Sequence, residues 1–277
     1  MNGTQNEDAM PESLNSMLRC PNCKNSHLEG SASGQTSNCK DCGASFSIQD
    51  GVVDLLPGVK FDRSVSQFFM EFSPVVRIYE SKWWRRSSVA TFLLKISFDQ
   101  ECEAILKAAG LKGKGDLLDL ACGPGIYTRP MARKLSRGRV IGLDISFPML
   151  RQAAANAEKE NLKNILFIRA NAMELPFADS SFGCVNCTGA LHLFPDARQV
   201  TREVARVLAP KGTFTISAVR RGPGKAGQVR AFFLDRIMGI RSFTPGDLES
   251  MLLPHEFSRF QVLHDQGLFM VMSAARG

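Results

Sequence analysis

Two pairs of cysteines, Cys20-x-x-Cys23 and Cys39-x-x-Cys42, stand fifteen residues apart near the start of the chain. Each pair can form a tight knuckle presenting two thiolates, and a loop of this length folds one knuckle onto the other. Four thiolates so arranged make a closed tetrahedral site for a structural zinc ion. Such a site leaves no open coordination position, so the metal supplies folding energy to a short segment and takes no part in catalysis. His27, inside the loop, is surplus to the set. A further Cys184-x-x-Cys187 lies in an apolar run that reads as a strand, where side chains three apart point to opposite faces, so these two are packing residues.

A second cluster of chemistry-bearing residues follows "LLDLACGPGIYTRPMA", residues 117–132. Gly123 and Gly125 let the backbone of this loop pass close to a ligand, and Asp119 adds a carboxylate just before it. A dinucleotide loop would carry a third small residue where this chain has Thr128, and would not place an acid beside a pyrophosphate. Asp144, nineteen residues after Gly125, lies near the end of "VIGLDI" and is placed to accept both hydroxyls of a ribose. Asn171-Ala172-Met173 ends a third apolar run where an adenine would lie. In this order the three features describe one ligand with an amino-acid end, a ribose and an adenine, which is S-adenosylmethionine. His192, in "ALHLFPD", is placed by motif order at the pocket mouth, either as a general base or as a structural residue that hydrogen-bonds a loop carbonyl or shapes the pocket.

The elements that must hold these residues are legible in the hydrophobic pattern. From Lys114 onward apolar runs alternate with helical stretches such as "PDARQVTREVARVLAP", which keeps Val200, Val204, Val207 and Leu208 on one face. This predicts an α/β fold, Rossmann-like, with a mostly parallel seven-stranded sheet covered by helices on both faces, closed by a terminal hairpin from "RFQVLHD" and "LFMVMSA". Ligands of such sheets bind beyond the carboxyl ends of the strands.

The 277 residues divide into a disordered tail (1–16), a zinc ribbon (17–58), a helical lid or connector (59–110) and the main domain (111–277). "FSIQDGVVDLLPG" reads as the last strand of the ribbon and its exit. The connector carries both tryptophans, and Tyr79, Trp83 and Trp84 are candidates to line a substrate pocket, with Tyr79 a catalytic candidate. No run approaches the length of a membrane span, and the polar first residues contain no apolar signal core, so a cytoplasmic protein is expected. Charge is uneven: −4 over residues 1–58 and +11 over the rest.

The sequence resembles the class I S-adenosylmethionine-dependent methyltransferases, in the pattern DxxCGxG, a strand-end Asp, a D-A-x-x-L-P-F segment, "LHLFPD" and "REVARVLAPKGTF", over residues 115–277. The resemblance implies that Asp119, Gly123 and Gly125 line the methionine end, that Asp144 holds the ribose and that Asn171 and Ala172 flank the adenine. Ala121, Ile145, Met149 and Met173 complete the expected cofactor set. The third motif usually has Asp where this chain has Asn171, whose amide oxygen can still accept a hydrogen bond. Together with the ribbon, the chain is similar to a plastid-type group of small methyltransferases and to zinc-containing ribosomal-RNA guanine methyltransferases. The expected activity is methyl transfer to a small apolar or aromatic metabolite; the alternatives are an RNA base methyltransferase and a non-methylating cofactor-binding relative. An RNA-gripping ribbon should be basic, and this one is acidic, although Arg129, Arg133 and Arg137 recur every four residues further on. The acceptor atom and the oligomeric state are left open.

Overall fold

The computed structural model describes residues 17–25, 28–30, 35–56, 87–111 and 115–277. Seven strands form the main sheet: β5 (Leu117–Leu120), β6 (Val140–Asp144), β7 (Ile165–Arg169), β8 (Phe182–Thr188), β9 (Leu208–Val219), β10 (Phe257–Gln266) and β11 (Phe269–Arg276). Their order is β7-β6-β5-β8-β9-β11-β10, parallel from β7 to β9, with β11 antiparallel to β9 and hairpinned to β10. Gly267 turns that hairpin at φ +64°, a conformation that favours glycine.

The sheet does not stop at seven strands. The ribbon strands β1 (Leu28–Gly30), β2 (Thr36–Cys39), β3 (Ser45–Gln49) and β4 (Val52–Asp54) form an antiparallel meander, and β4 pairs in parallel with β7. The result is one continuous sheet of eleven strands. The stretch read as one last ribbon strand is in fact a hairpin. Asp50 and Gly51 take φ +50° and +73°, the two left-handed positions of a tight Asp-Gly turn. That turn sets Val52 and Val53 against the open edge of β7, which would otherwise expose unpaired backbone groups.

Side chains alternate across the sheet. Leu118, Leu120, Ile141, Leu143, Ile168, Val185 and Cys187 enter one core cluster, while Leu117, Val140 and Cys184 enter a second on the opposite side. Cys184 and Cys187 therefore pack on opposite faces, as the spacing required. α2 (Phe98–Ala109) and α3 (Thr128–Lys134) cover one face, and α5 (Ala197–Val207) covers the other. α4 (Phe147–Lys159) packs Leu150, Ala153 and Ala157 against Phe167 and Val52. Val200, Val204 and Val207 are fully buried, each contributing about 1.5–3 kcal/mol. Leu208 is buried too, but as the first residue of β9 rather than in the helix. The remaining helices are α1 (Ser88–Leu94), α6 (Gly224–Met238) and α7 (Pro245–Leu252). Among the described residues no helix is long and apolar enough to cross a membrane.

Candidate functional site

β5 ends in a loop with three left-handed residues, Ala121 (φ +53°), Gly123 (φ +53°) and Gly125 (φ +79°). Gly125 is required twice over, by its φ and because a Cβ would stand 3.2 Å from that of Ala153 on α4. The Gly125 carbonyl then accepts from Arg129 N–H, which starts α3. The loop is clamped to the end of β6: Gly123 N–H donates to Asp144 Oδ2 (2.8 Å) and Ser146 N–H to Asp144 Oδ1 (2.9 Å). Each carboxylate oxygen keeps a second lone pair for a ligand hydroxyl. Burial raises the Asp144 pKa, and the N–H groups of Ser146 and Gly123 partly offset this.

Asp119 stands near the end of β5, 2% exposed, with Oδ2 accepting from the Thr128 hydroxyl and Oδ1 from Asn186 Nδ2 (2.7 Å). Asn186 Oδ1 in turn accepts from the hydroxyls of Thr215 (2.8 Å) and Thr188 (3.0 Å). Desolvation pushes Asp119 up to about 6, against the opposing effect of its two hydrogen bonds. The position where a dinucleotide loop would carry its third small residue thus ties the helix start to the strand through a hydroxyl.

Ile145 and Met149 follow Asp144, Ile145 half-buried and Met149 buried at the start of α4. The Ile145 carbonyl accepts from Arg169 Nε (3.0 Å), and Arg169 Nη1 pairs with Asp54 Oδ2 of the ribbon (3.0 Å). Asn171 Oδ1 accepts from Met173 N–H (3.0 Å), which turns the chain beyond β7 and buries Ala172. A cavity of about 570 Å³ adjoins Asn171, walled on the ribbon side by Phe46, Leu55 and Leu56. The Asp54–Arg169 pair was not legible in the sequence: an Arg at a strand end was visible, its partner 115 residues away was not.

His192 sits in a 3₁₀ turn, Leu191–Leu193, after β8. It is buried rather than standing at a mouth: 5% exposed, edge-on to Phe269 at 5.6 Å, its Nδ1 without a hydrogen-bond partner. Burial pushes its pKa down to about 4. Tyr79, Trp83 and Trp84 lie outside the described residues. The arginine row does not form one cationic face. α3 ends at Lys134, before Arg137, and both Arg129 and Arg133 pair with Glu160.

The four ribbon cysteines converge. Lys24 N–H donates to Cys20 O (2.8 Å) and Gly43 N–H to Cys39 O (3.0 Å), closing two equivalent knuckles, with Lys24 and Gly43 at φ +66° and +72°. All four sulfurs lie within 4.8 Å of one another, with Cys20–Cys42 at 3.7 Å and Cys23–Cys39 at 3.5 Å. Tetrahedral zinc with bonds of ~2.3 Å requires sulfurs roughly 3.8 Å apart, so the set fits that ion. The Ala44 backbone N–H helps lower the Cys42 thiol pKa to about 7, while burial raises that of Cys20.

Comparison with known proteins agrees with this geometry. Residues 117–212 match the model of a methyltransferase domain family. The chain is 34% identical over 152 residues to a demethylmenaquinone methyltransferase of Listeria welshimeri, covering 54% of this chain and 60% of that protein. It is 30% identical over 217 residues to an uncharacterized chloroplastic methyltransferase of Arabidopsis thaliana, covering 72% of this chain and 60% of the relative. The chain thus spans 60% of the length of these curated relatives. A solved SAM-dependent methyltransferase from Aquifex aeolicus superposes with a TM-score of 0.56 at 17% identity, over 79% of this chain and 100% of that one. The domain match identifies residues 117–212 as a methyltransferase domain, and the chain shares the fold of solved S-adenosylmethionine-dependent methyltransferases.

Proposed function

We propose that the chain transfers a methyl group from S-adenosylmethionine to a small apolar or aromatic metabolite, and that Cys20, Cys23, Cys39 and Cys42 hold one structural zinc ion. The observation that carries the cofactor reading is the clamp of Gly123 onto Asp144, which presents a left-handed backbone loop and a carboxylate together at the carboxyl edge of the sheet. Asp144 would accept the ribose hydroxyls. Gly123 and Gly125 would give their backbone to the amino-acid end, with the buried Asp119 acting on it only through its field. Ile145 and Met149 would flank the adenosine, with Asn171, Ala172 and Met173 at the adenine. When bound, the cofactor supplies a methyl carbon already made electrophilic by its sulfonium. The chain's part is then to orient the acceptor and exclude water. His192 is neutral at pH 7 and, 5% exposed with its Nδ1 enclosed, shapes the site rather than taking a proton from the acceptor.

A metabolite is favoured over RNA by the state of the ribbon cations. Arg19, Lys24 and Lys40 each lie beside an acid, Asp179, Glu174 and Glu29, so the described residues of the ribbon present no uncompensated positive patch to phosphates. The Listeria relative, named for a quinone, points the same way. The test has two arms. Calorimetry with S-adenosylhomocysteine should show binding, and Asp144→Ala should weaken it by about 1.5–3 kcal/mol, one to two decades. Labelled methyl from the cofactor should enter hydroquinones or phenols in a panel and not ribosomal RNA. Absence of binding would refute the cofactor reading, and methylation of one defined RNA base would refute the acceptor class.

A further inference from the structure

α6 turns an apolar face to the outside. Val229, Phe233 and Ile237 recur every fourth residue along one side of the helix, with Phe232 beside them, and they are 55%, 54%, 70% and 65% exposed respectively. The inner side is fixed independently: Gly227 packs so closely on Gly222 that a Cβ would meet its carbonyl oxygen at 1.9 Å, and Arg230 Nη2 donates to the Arg220 carbonyl (2.8 Å). The exposed side is therefore not a loosely docked inner face. Four large apolar side chains on one helix form the kind of patch that marks an interaction surface.

The charges on that side are mainly positive. Lys225 begins the row that continues through Val229, Phe233 and Ile237, and Arg236 follows Phe232 by one turn; both are exposed. The helix has one acid, Asp235, at the edge of the stripe; with Phe232 it lines a cavity of about 530 Å³ that also carries Asp196, Asp247, Arg221 and Arg241. An apolar stripe that carries Lys225 and Arg236, with its one acid at the edge, is complementary to an anionic lipid surface, where aromatic and aliphatic side chains enter the acyl boundary and Lys and Arg meet the headgroups. A second group of the same chemistry belongs to this edge of the fold. Phe92 on α1 is 69% exposed with Lys95 Nζ 4.1 Å above its ring, and the Leu94 carbonyl contacts His264 Nε2 (3.0 Å) near the β10–β11 turn.

We propose that α6 docks the protein on the surface of an anionic lipid bilayer. The helix follows β9 directly, and just beyond its end Arg241 N–H donates to the His192 carbonyl (3.0 Å). The end of the docking helix therefore lies beside the carboxyl edge of the sheet at His192, so docking brings that end of the sheet close to apolar molecules dissolved in lipid. The docking does not rest on the methyl-transfer reading, because it is measured without cofactor or acceptor.

The full-length protein is sedimented with vesicles of phosphatidylcholine alone and of phosphatidylcholine with phosphatidylglycerol, at low and high salt. Wild type should pellet with the anionic vesicles. The pairs Phe232→Ser with Ile237→Ser, and Lys225→Glu with Arg236→Glu, should each lower the partition roughly tenfold. Unchanged melting temperatures would show that both variants fold, and the charge pair keeps the test open if the apolar pair does not. Three results would overturn the proposal: wild type staying in the supernatant with every vesicle, either variant pair partitioning as wild type does, or a wild-type dimer that the apolar substitutions convert to monomer, which would assign the face to a second copy.

Discussion

His192 shows how one buried side chain ties acid–base chemistry to stability. Its folded pKa is about 4, against 6.5 for a free imidazole, because burial disfavours the cation. Between those values the unfolded chain binds a proton that the native chain refuses, so its contribution is complete above pH 6.5 and is lost as pH falls through the window. Asp119 acts with the opposite sign: its folded pKa of about 6 stands above the usual 3.8, so the native state binds the extra proton and gains as pH falls toward 4. The two effects overlap, and only a difference separates them. Wild type should lose about 2 kcal/mol relative to His192→Gln between pH 7.5 and pH 5, read from urea unfolding at each pH. Parallel curves would show that the imidazole is not held neutral by burial.

At the scale of elements, the parallel pairing of β4 with β7 brings the ribbon to the carboxyl end of β7 and the turn after β6. Asp54, the last residue of β4, holds Arg169 at the end of β7, and Arg169 holds the carbonyl of Ile145, next to the carboxylate of Asp144. The ion pair is mostly sheltered, with side chains 14% and 20% exposed, so it is screened less than a surface pair. Asp54→Asn keeps an acceptor for Leu56 N–H but removes the charge that orients Arg169. Affinity for S-adenosylhomocysteine should fall by about 1 kcal/mol, roughly fivefold, while zinc content stays the same. The exposed pair of Asp50 with Arg151 at 3.6 Å is the control, and Asp50→Asn should change neither quantity. Equal affinity in Asp54→Asn and wild type, by calorimetry, would detach the ribbon from the ribose end.

For the whole molecule, the ribbon and the larger sheet share one core. Leu18, Leu28, Phe46 and Leu55 pack in the same cluster as Leu175, Phe177 and the inner face of β5–β8, and Leu18 bridges Phe177 on the backbone. Loss of the proposed zinc should therefore be felt beyond residues 17–56. Elemental analysis of the wild type should find one zinc per chain, and Cys39→Ser, or a strong chelator, should abolish it and lower the melting temperature of the whole chain by roughly 5 °C, as expected for a loss of about 2 kcal/mol in a chain of this size. A main transition that does not move would show that the two parts melt independently despite the shared sheet.

The sequence by itself determined the features that are local. Cysteine spacing specified two knuckles, the run of strand, glycine loop and helix specified the cofactor loop, and alternation of apolar runs with amphipathic helices specified a two-faced parallel sheet ending in a hairpin. These depend on backbone conformations and periodicities set by residues close together in the chain. The Asp50-Gly51 turn was equally local, a signal present in the residues but read as continuous strand. What only the tertiary structure decided is how distant pieces meet: β4 on the edge of β7, Asp119 near the end of β5 with both oxygens bonded, His192 enclosed against Phe269, and Arg129 and Arg133 drawn onto Glu160. Each depends on which strand edge or helix face closes over a residue. That closure sets burial, and with it the charge state and the partners available, so residue type and spacing could name these side chains without showing which way they act.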